Sequence, residues 1–196
     1  FDNFKAVVAD TDILHAFLIS VLRTVIGTVL SVLFTALVAY GMTRPQLKYK
    51  NFYSVFMIIT MFFSGGLIPK YLLMNSLKLV GTRWAILLPT AINTFNLIVL
   101  INFFKTIPLE LEEAALIDGM GYFGILRNIF IPLSVPALAT ICLYYAVYFW
   151  NDWFNALIYL KSEQYPVMMI LRNLVNGTMQ MDSGNTATER STVSIA

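Results

Sequence analysis

The segment Pro108–Pro136, PLELEEAALIDGMGYFGILRNIFIPLSVP, is a polar, acidic insert between two long apolar runs. Pro108 suits a first helical turn, and Glu110, Glu112 and Glu113 place negative charge at the positive end of a helix dipole. Ala114 and Ala115 are strong helix formers with little bulk, so another surface can approach closely. Gly119 suits the left-handed position that stops a helix. Tyr122, Leu126, Ile129 and Phe130 then recur at helical spacing until Pro132, which is expected to end a second helix. The result is a short helical hairpin, acidic at its start and small-faced. In a membrane-protein loop it reads either as a docking element or as an amphipathic hairpin lying along the interface.

Composition makes that loop a membrane-protein loop. The 196 residues are 58% hydrophobic and only 12% charged, and the mean hydropathy is +0.72. Soluble proteins carry about 25% charge. The chain therefore reads as all-α and polytopic, a single transmembrane domain from 1 to 196 in contact with the lipid bilayer. A net charge of +2 gives no reason to expect a nucleic-acid partner. Cys142 is the single cysteine, so no internal disulfide forms, and His15 is the single histidine. His15 reads as an interfacial side chain rather than a ligand, and no metal is expected.

Four spans are expected, at 13–43, 51–68, 84–104 and 133–150. The first exceeds the ~20 residues that cross the hydrocarbon core. Arg23 interrupts it. A mid-span charge costs about 2.5–3.5 kcal/mol on insertion scales, so Arg23 is expected to face protein, a cavity or the interface. Gly65, Gly66 and Pro69 argue for a helix end or break. Residues 105–132 form the connecting hairpin loop, and 151–190 a polar, aromatic loop on the other side. Loop 44–50 holds Arg44, Lys48 and Lys50, which favours the cytoplasm, but 69–83 and 161–190 also hold three basic residues each. Charge alone leaves the topology open. The chain opens on Phe1, and Ser191–Ala196 reads like the start of a further span, so an internal piece of a longer protein is expected.

Chemistry is sparse. No phosphate-binding Gly-x-x-x-x-Gly-Lys-Ser/Thr loop is present. Neighbouring helical residues such as Glu112 and Glu113 diverge by about 100° and make a poor acid–base pair. The chain is not expected to be an enzyme, nor to hold a cofactor. Asn93, Asn96, Tyr144, Tyr145, Tyr148, Asn151 and Trp153 are polar or aromatic residues in or beside spans. Neutral hydrogen-bonding groups with flat rings suit a sugar. They equally suit interhelical contacts and an interfacial aromatic belt.

The hairpin resembles the EAA loop of ABC importer permeases, through Glu113-Ala114-Ala115, Asp118-Gly119, Ile131-Pro132-Leu133 and Pro136. The resemblance implies a type I ABC importer permease with a cytoplasmic coupling hairpin. That hairpin would meet the ATP-hydrolysing subunit through Glu113, Ala114, Ala115, Asp118 and Gly119. ATP and Mg would be bound by that partner. Ser64–Leu72, Gly81–Ala85 and Tyr148–Ala156 are similar to the carbohydrate-uptake, maltose-type branch, and most of all to oligosaccharide and polysaccharide permeases associated with lipoprotein solute-binding proteins. This implies a homologous second permease, two ATP-binding subunits, an extracellular solute-binding lipoprotein and a bacterial plasma-membrane location. The substrate path is then expected at Asn93, Asn96, Tyr145, Tyr148, Asn151 and Trp153. Met120 departs from the small residue common at its position.

Other classes stay open at this point. A secondary carrier or channel would exploit Gly65, Gly66 and Pro89 as helix breaks around a solute site. A membrane enzyme would need a polar catalytic cluster, which is not apparent. An amino-acid or peptide importer would favour buried charges, for which Arg23 is the one candidate.

Overall fold

The computed structural model describes residues 11–63, 65–173 and 175–176. The polar start before residue 11 and the Gly/Ser/Thr/Asn-rich stretch after 176 lie outside the described residues, as does the span start at 191–196. Among the described residues the secondary structure is helical, without strands.

Helix α1 (Thr11–Thr43) is about 50 Å long at 1.5 Å per residue, longer than the bilayer core is thick. Pro45 stops it, because the residue before a proline is pushed out of the helical region. Its inner face is a stripe of small and hydroxyl side chains. Ser20, Ser31, Thr35 and Ala39 are buried, while Leu18, Leu22, Val25, Val29 and Leu33 point outward. This inversion of the soluble pattern is what lipid demands: large apolar groups outside, small residues where helices touch.

The small stripe receives α9 (Val135–Asn151) and α5 (Thr94–Phe104), the helices that pack most extensively on α1. Helices α1 and α9 run antiparallel. A Cβ on Gly27 would lie 2.8 Å from the Phe149 ring, so the helices meet there without room for a side chain. Thr35 meets Tyr145 further along α1, and Arg23 meets the end of α9.

Several expected spans are broken. The stretch 51–68 is helical as α2 (Lys50–Phe62), and a new helix, α3 (Leu67–Ser76), starts after the glycines. The stretch 84–104 is α4 (Trp84–Leu87) and α5, with 88–93 non-helical between them. Pro89 lacks an N–H, and Asn93 restarts the helix as N-cap by accepting the Asn96 N–H at 3.2 Å. Among the described residues, by length and composition, α1 is the one helix able to cross a membrane, or up to four spans exist if each bent helix pair counts as one.

The hairpin is α6 (Leu109–Ile117), α7 (Tyr122–Ile125), a π-helical segment at Leu126–Phe130 and α8 (Ile131–Leu133). Pro132 does not end this helix, contrary to expectation. The chain stays helical to Leu133 and turns at Ser134, where α9 departs at 86°. The cause is the π segment, in which the Ile131 N–H bonds back to the Leu126 carbonyl. Pro132 then falls in a first helical turn, where its missing N–H is not required. Residues Phe154–Tyr159 form α10, followed by a 3₁₀ turn at Ser162–Gln164 and helical residues 167–173.

Two apolar cores hold the arrangement. One joins Ala36, Ala39, Leu100, Phe104, Phe130 and Ile141 beside the hairpin. The other joins Ile86, Tyr145, Phe149, Ala156 and Tyr159 towards the far end of α9.

Candidate functional site

The hairpin is built as an exposed face on a locked base. Pro108 caps α6, one position before the first turn. Gly119 has φ +78°, the left-handed value its position requires. The Met120 N–H reaches the Ala115 carbonyl at 2.9 Å and the Gly119 N–H reaches the Leu116 carbonyl at 3.0 Å, which is a Schellman closure. Met120 also covers Gly124, whose added Cβ would meet the Met120 Cγ at 2.9 Å.

Of the five residues expected at the docking contact, Glu113, Ala114, Asp118 and Gly119 are exposed together on one side. Ala115 is not: it is 5% exposed and packs in the core beneath the helix. Its small size serves the seating of α6 on the rest of the chain rather than an external surface. Sequence reading missed Ile117, 86% exposed at the hairpin tip, and the exposed Phe123. Their signal was an apolar residue out of phase with the buried Glu112 and Ala115.

The base of the hairpin is an ion pair. Glu112, 4% exposed, pairs with Arg44 at the end of α1. The Arg44 guanidinium lies over the Tyr40 ring at 4.1 Å and faces the Phe130 ring at 4.9 Å. Its Nε donates to the Tyr40 carbonyl at 3.3 Å and one terminal nitrogen donates to Thr43 Oγ1 at 3.2 Å. Burial lowers the Arg44 pKa from its ordinary value, opposed by Tyr40 and Tyr122, and the group remains a cation. This contact brings loop 44–50 and the hairpin to the same side of the bundle.

A cavity of about 350 Å³ opens where the broken helix α4–α5 faces α9. Pro89, Thr90, Ile92, Asn93, Phe95 and Asn96 line one wall, and Tyr144, Tyr145 and Tyr148 the other. Four of the six residues expected on the substrate path therefore meet here: Asn93, Asn96, Tyr145 and Tyr148. No lining residue is charged. Asn96 is 5% exposed, and its side-chain amide has no hydrogen-bond partner among the described residues. The Tyr145 hydroxyl shares a 2.7 Å hydrogen bond with Thr35 and accepts the Asn93 N–H at 2.9 Å. Tyr145 thus ties α1 to the break, and the cavity wall is preset.

Asn151 and Trp153 do not reach the cavity. Asn151 donates to the Val147 carbonyl of its own helix at 2.9 Å. Trp153 lies beneath the Arg172 guanidinium, 3.5 Å from its ring centre. Between them, Asp152 joins the cavity rim to α1. Its carboxylate accepts from the Asn155 side chain at 2.8 Å, and Asn155 donates to Tyr148 at 3.4 Å. Arg23 pairs with Asp152 at 3.4 Å and donates to the Phe149 carbonyl at 2.8 Å. The mid-helix cation therefore faces protein, at the carbonyl end of α9 where the helix dipole favours it.

Most of the chain matches known proteins. A model of the family described as "Binding-protein-dependent transport system inner membrane component" matches residues 13–181. The polygalacturonan/rhamnogalacturonan transport system permease protein YtcP of Bacillus subtilis (strain 168) is 48% identical over 167 residues, covering 84% of this chain and 58% of that protein. Protein LplC of the same organism is 44% identical over 174 residues, covering 88% of this chain and 59% of that protein. A solved structure of a bacterial ABC transporter involved in the import of the acidic polysaccharide alginate superposes with TM-score 0.81 at 34% identity, over 86% of this chain and 60% of that chain. The chain thus spans somewhat over half the length of these relatives. It belongs to the family of binding-protein-dependent transport system inner membrane components.

Proposed function

We propose that the chain is the transmembrane permease subunit of an ATP-driven ABC importer for sugars, with oligosaccharides as the cargo. In this reading it forms part of the translocation path and couples to an ATPase through the hairpin. The observation that carries the reading is the division of α6 into two faces. Glu113, Ala114, Asp118, Gly119 and Ile117 stand free, while Glu112 and Ala115 hold the helix from behind. An exposed acidic, small and apolar surface on a braced helix suits a cleft on a partner.

The partners in this reading are a homologous second permease, two ATP-binding subunits and an extracellular solute-binding lipoprotein. ATP and Mg belong to the ATP-binding subunits. Their closure and reopening would carry the seated hairpin with them, and the motion would enter α5 and α9 through the bends at either end. The hairpin and loop 44–50 would face the cytoplasm, and the loop after α9 would face outward. The cavity offers amides, hydroxyls and flat rings without charge, which suits the hydroxyl-rich faces of a saccharide. YtcP is named for polygalacturonan/rhamnogalacturonan transport and the solved transporter for import of the acidic polysaccharide alginate, which supports the cargo class.

A secondary carrier would also use a broken helix beside a cavity. It gives no role to the exposed hairpin tip, and the cavity holds no carboxylate for ion coupling.

The test is ATPase activity of the full-length complex in lipid with its binding protein. A panel of neutral and uronic oligosaccharides is compared for wild type and Glu113→Lys. Stimulation by one sugar that the substitution abolishes is the expected result. Activity indifferent to both the sugars and the substitution would return the carrier reading.

A further inference from the structure

We infer that Arg44 and Glu112 are a positioning pair that makes docking helix α6 and the end of α1 move as one body, so that the hairpin drives α1 as well as the spans flanking it. The inference rests on the importer reading above.

Helix α6 does not pack along α1 as α5 and α9 do. The ion pair joins them, beside the apolar core that Ala115 shares with Ala36 and Ala39. It is held on several sides: the guanidinium lies between the rings of Tyr40, on α1, and Phe130, on the returning arm of the hairpin. Tyr40 and Phe130 also pack edge-to-face at 5.0 Å. Arg44 therefore joins three elements at one point.

Stability does not require charge here. Buried ion pairs lose much of their attraction to desolvation, and well-packed apolar residues serve as well or better. What a planar guanidinium between two rings adds is direction: it fixes the angle at which Glu112 is held. Removing either partner leaves the other charge buried and uncompensated, because both side chains are almost wholly covered.

The consequence lies further along α1. Thr35 is nine residues before Arg44, about 13 Å along a rigid helix. It holds the Tyr145 hydroxyl, which holds the Asn93 N–H at the cavity wall. A displacement of the docking helix that enters α1 at Arg44 reaches that wall without passing through the bends at Phe104 or Ser134.

The experiment uses the full-length transporter with its ATPase in lipid. Spin labels are placed at Gln46→Cys and Glu110→Cys, both exposed, with Cys142→Ser. Distances are measured without nucleotide and after trapping with ATP, Mg and vanadate. The native pair should give one distance, unchanged between the states. Glu112→Gln should give a distance that shifts on trapping. Should that variant not assemble, Arg44→Lys, which keeps the charge and loses the planar stack, is read the same way. A native distance that shifts with nucleotide overturns the inference, and so does a variant as invariant as the native protein. Absence of vanadate trapping in the native complex overturns the importer reading and the inference with it.

Discussion

Gly27 on α1 lies against the Phe149 ring on α9 so closely that a Cβ would stand 2.8 Å from it. Gly27→Ala is expected to cost about 1–3 kcal/mol, the usual range for overpacking, because the ring must move. Gly27→Leu should cost more. Thermal unfolding of the assembled complex reads both. Phe149→Leu combined with Gly27→Ala should recover part of the loss, and equal melting for Gly27→Ala and wild type would show that the helices separate freely.

Arg23 and Asp152 form the second buried ion pair, each almost wholly covered. Arg23→Met should destabilise by about 3–5 kcal/mol, since it leaves the carboxylate uncompensated. Arg23→Met with Asp152→Asn should be the milder change despite altering two residues. The ordering of melting temperatures decides it: a double variant worse than either single one would show that the two side chains act independently.

Tyr145→Phe removes the hydroxyl shared by Thr35 and the Asn93 N–H. The expected cost is about 1–3 kcal/mol, that of leaving a buried polar group unpaired. If the chain works as the proposed importer subunit, sugar-stimulated ATPase should fall while basal ATPase and binding of the ATPase subunits persist, because Tyr145 fixes the break beside the cavity. Loss of ATPase binding would move Tyr145 out of the cavity and into assembly.

Gly119 separates turn strain from docking. An added Cβ meets nothing within 4 Å, so the only intrinsic penalty is its φ of +78°. Gly119→Asn should keep the turn, since Asn tolerates the left-handed region. Gly119→Leu adds about 1–2 kcal/mol of backbone strain and also bulk on the exposed face. If the face docks, Leu should sever ATPase coupling and Asn should spare it. Identical transport by the two variants would remove the docking role.

Much of the fold was legible because helix punctuation is local. Gly119 read as a left-handed stop and Gly65–Gly66 as an interruption, whereas Pro89 was placed inside an expected span, 84–104, that the structure breaks at 88–93. Pro132 was read as the end of the second helix, and the helix closes one residue later, at Leu133, after a π turn the reading did not include. The hairpin's exposed face was legible as residue types but not as directions. Ala114 and Ala115 look alike in sequence, and only the seating of α6 decides which is covered. The cavity was half legible. Asn93, Asn96, Tyr145 and Tyr148 converge because the chain breaks at 88–93, whereas Asn151 and Trp153 share their composition and lie elsewhere. The ties of Arg44 to Glu112 and Arg23 to Asp152 join residues far apart in the chain, and a single sequence holds no signal for such pairing.

The π segment at Leu126–Phe130 also makes the hairpin a counted spacer. One surplus residue in a helical turn rotates everything beyond it by about 100° relative to a regular helix. Phe130, under Arg44, sits at the end of that surplus, and the tyrosines of α9 follow it. Deleting one residue from the segment would leave the hairpin tip and α9 chemically unchanged and still turn the hairpin's exposed face away from the cavity wall. Chain length between Gly119 and Ser134 is therefore as much a determinant of alignment as the residues themselves, and insertions or deletions there should be far less tolerated than substitutions.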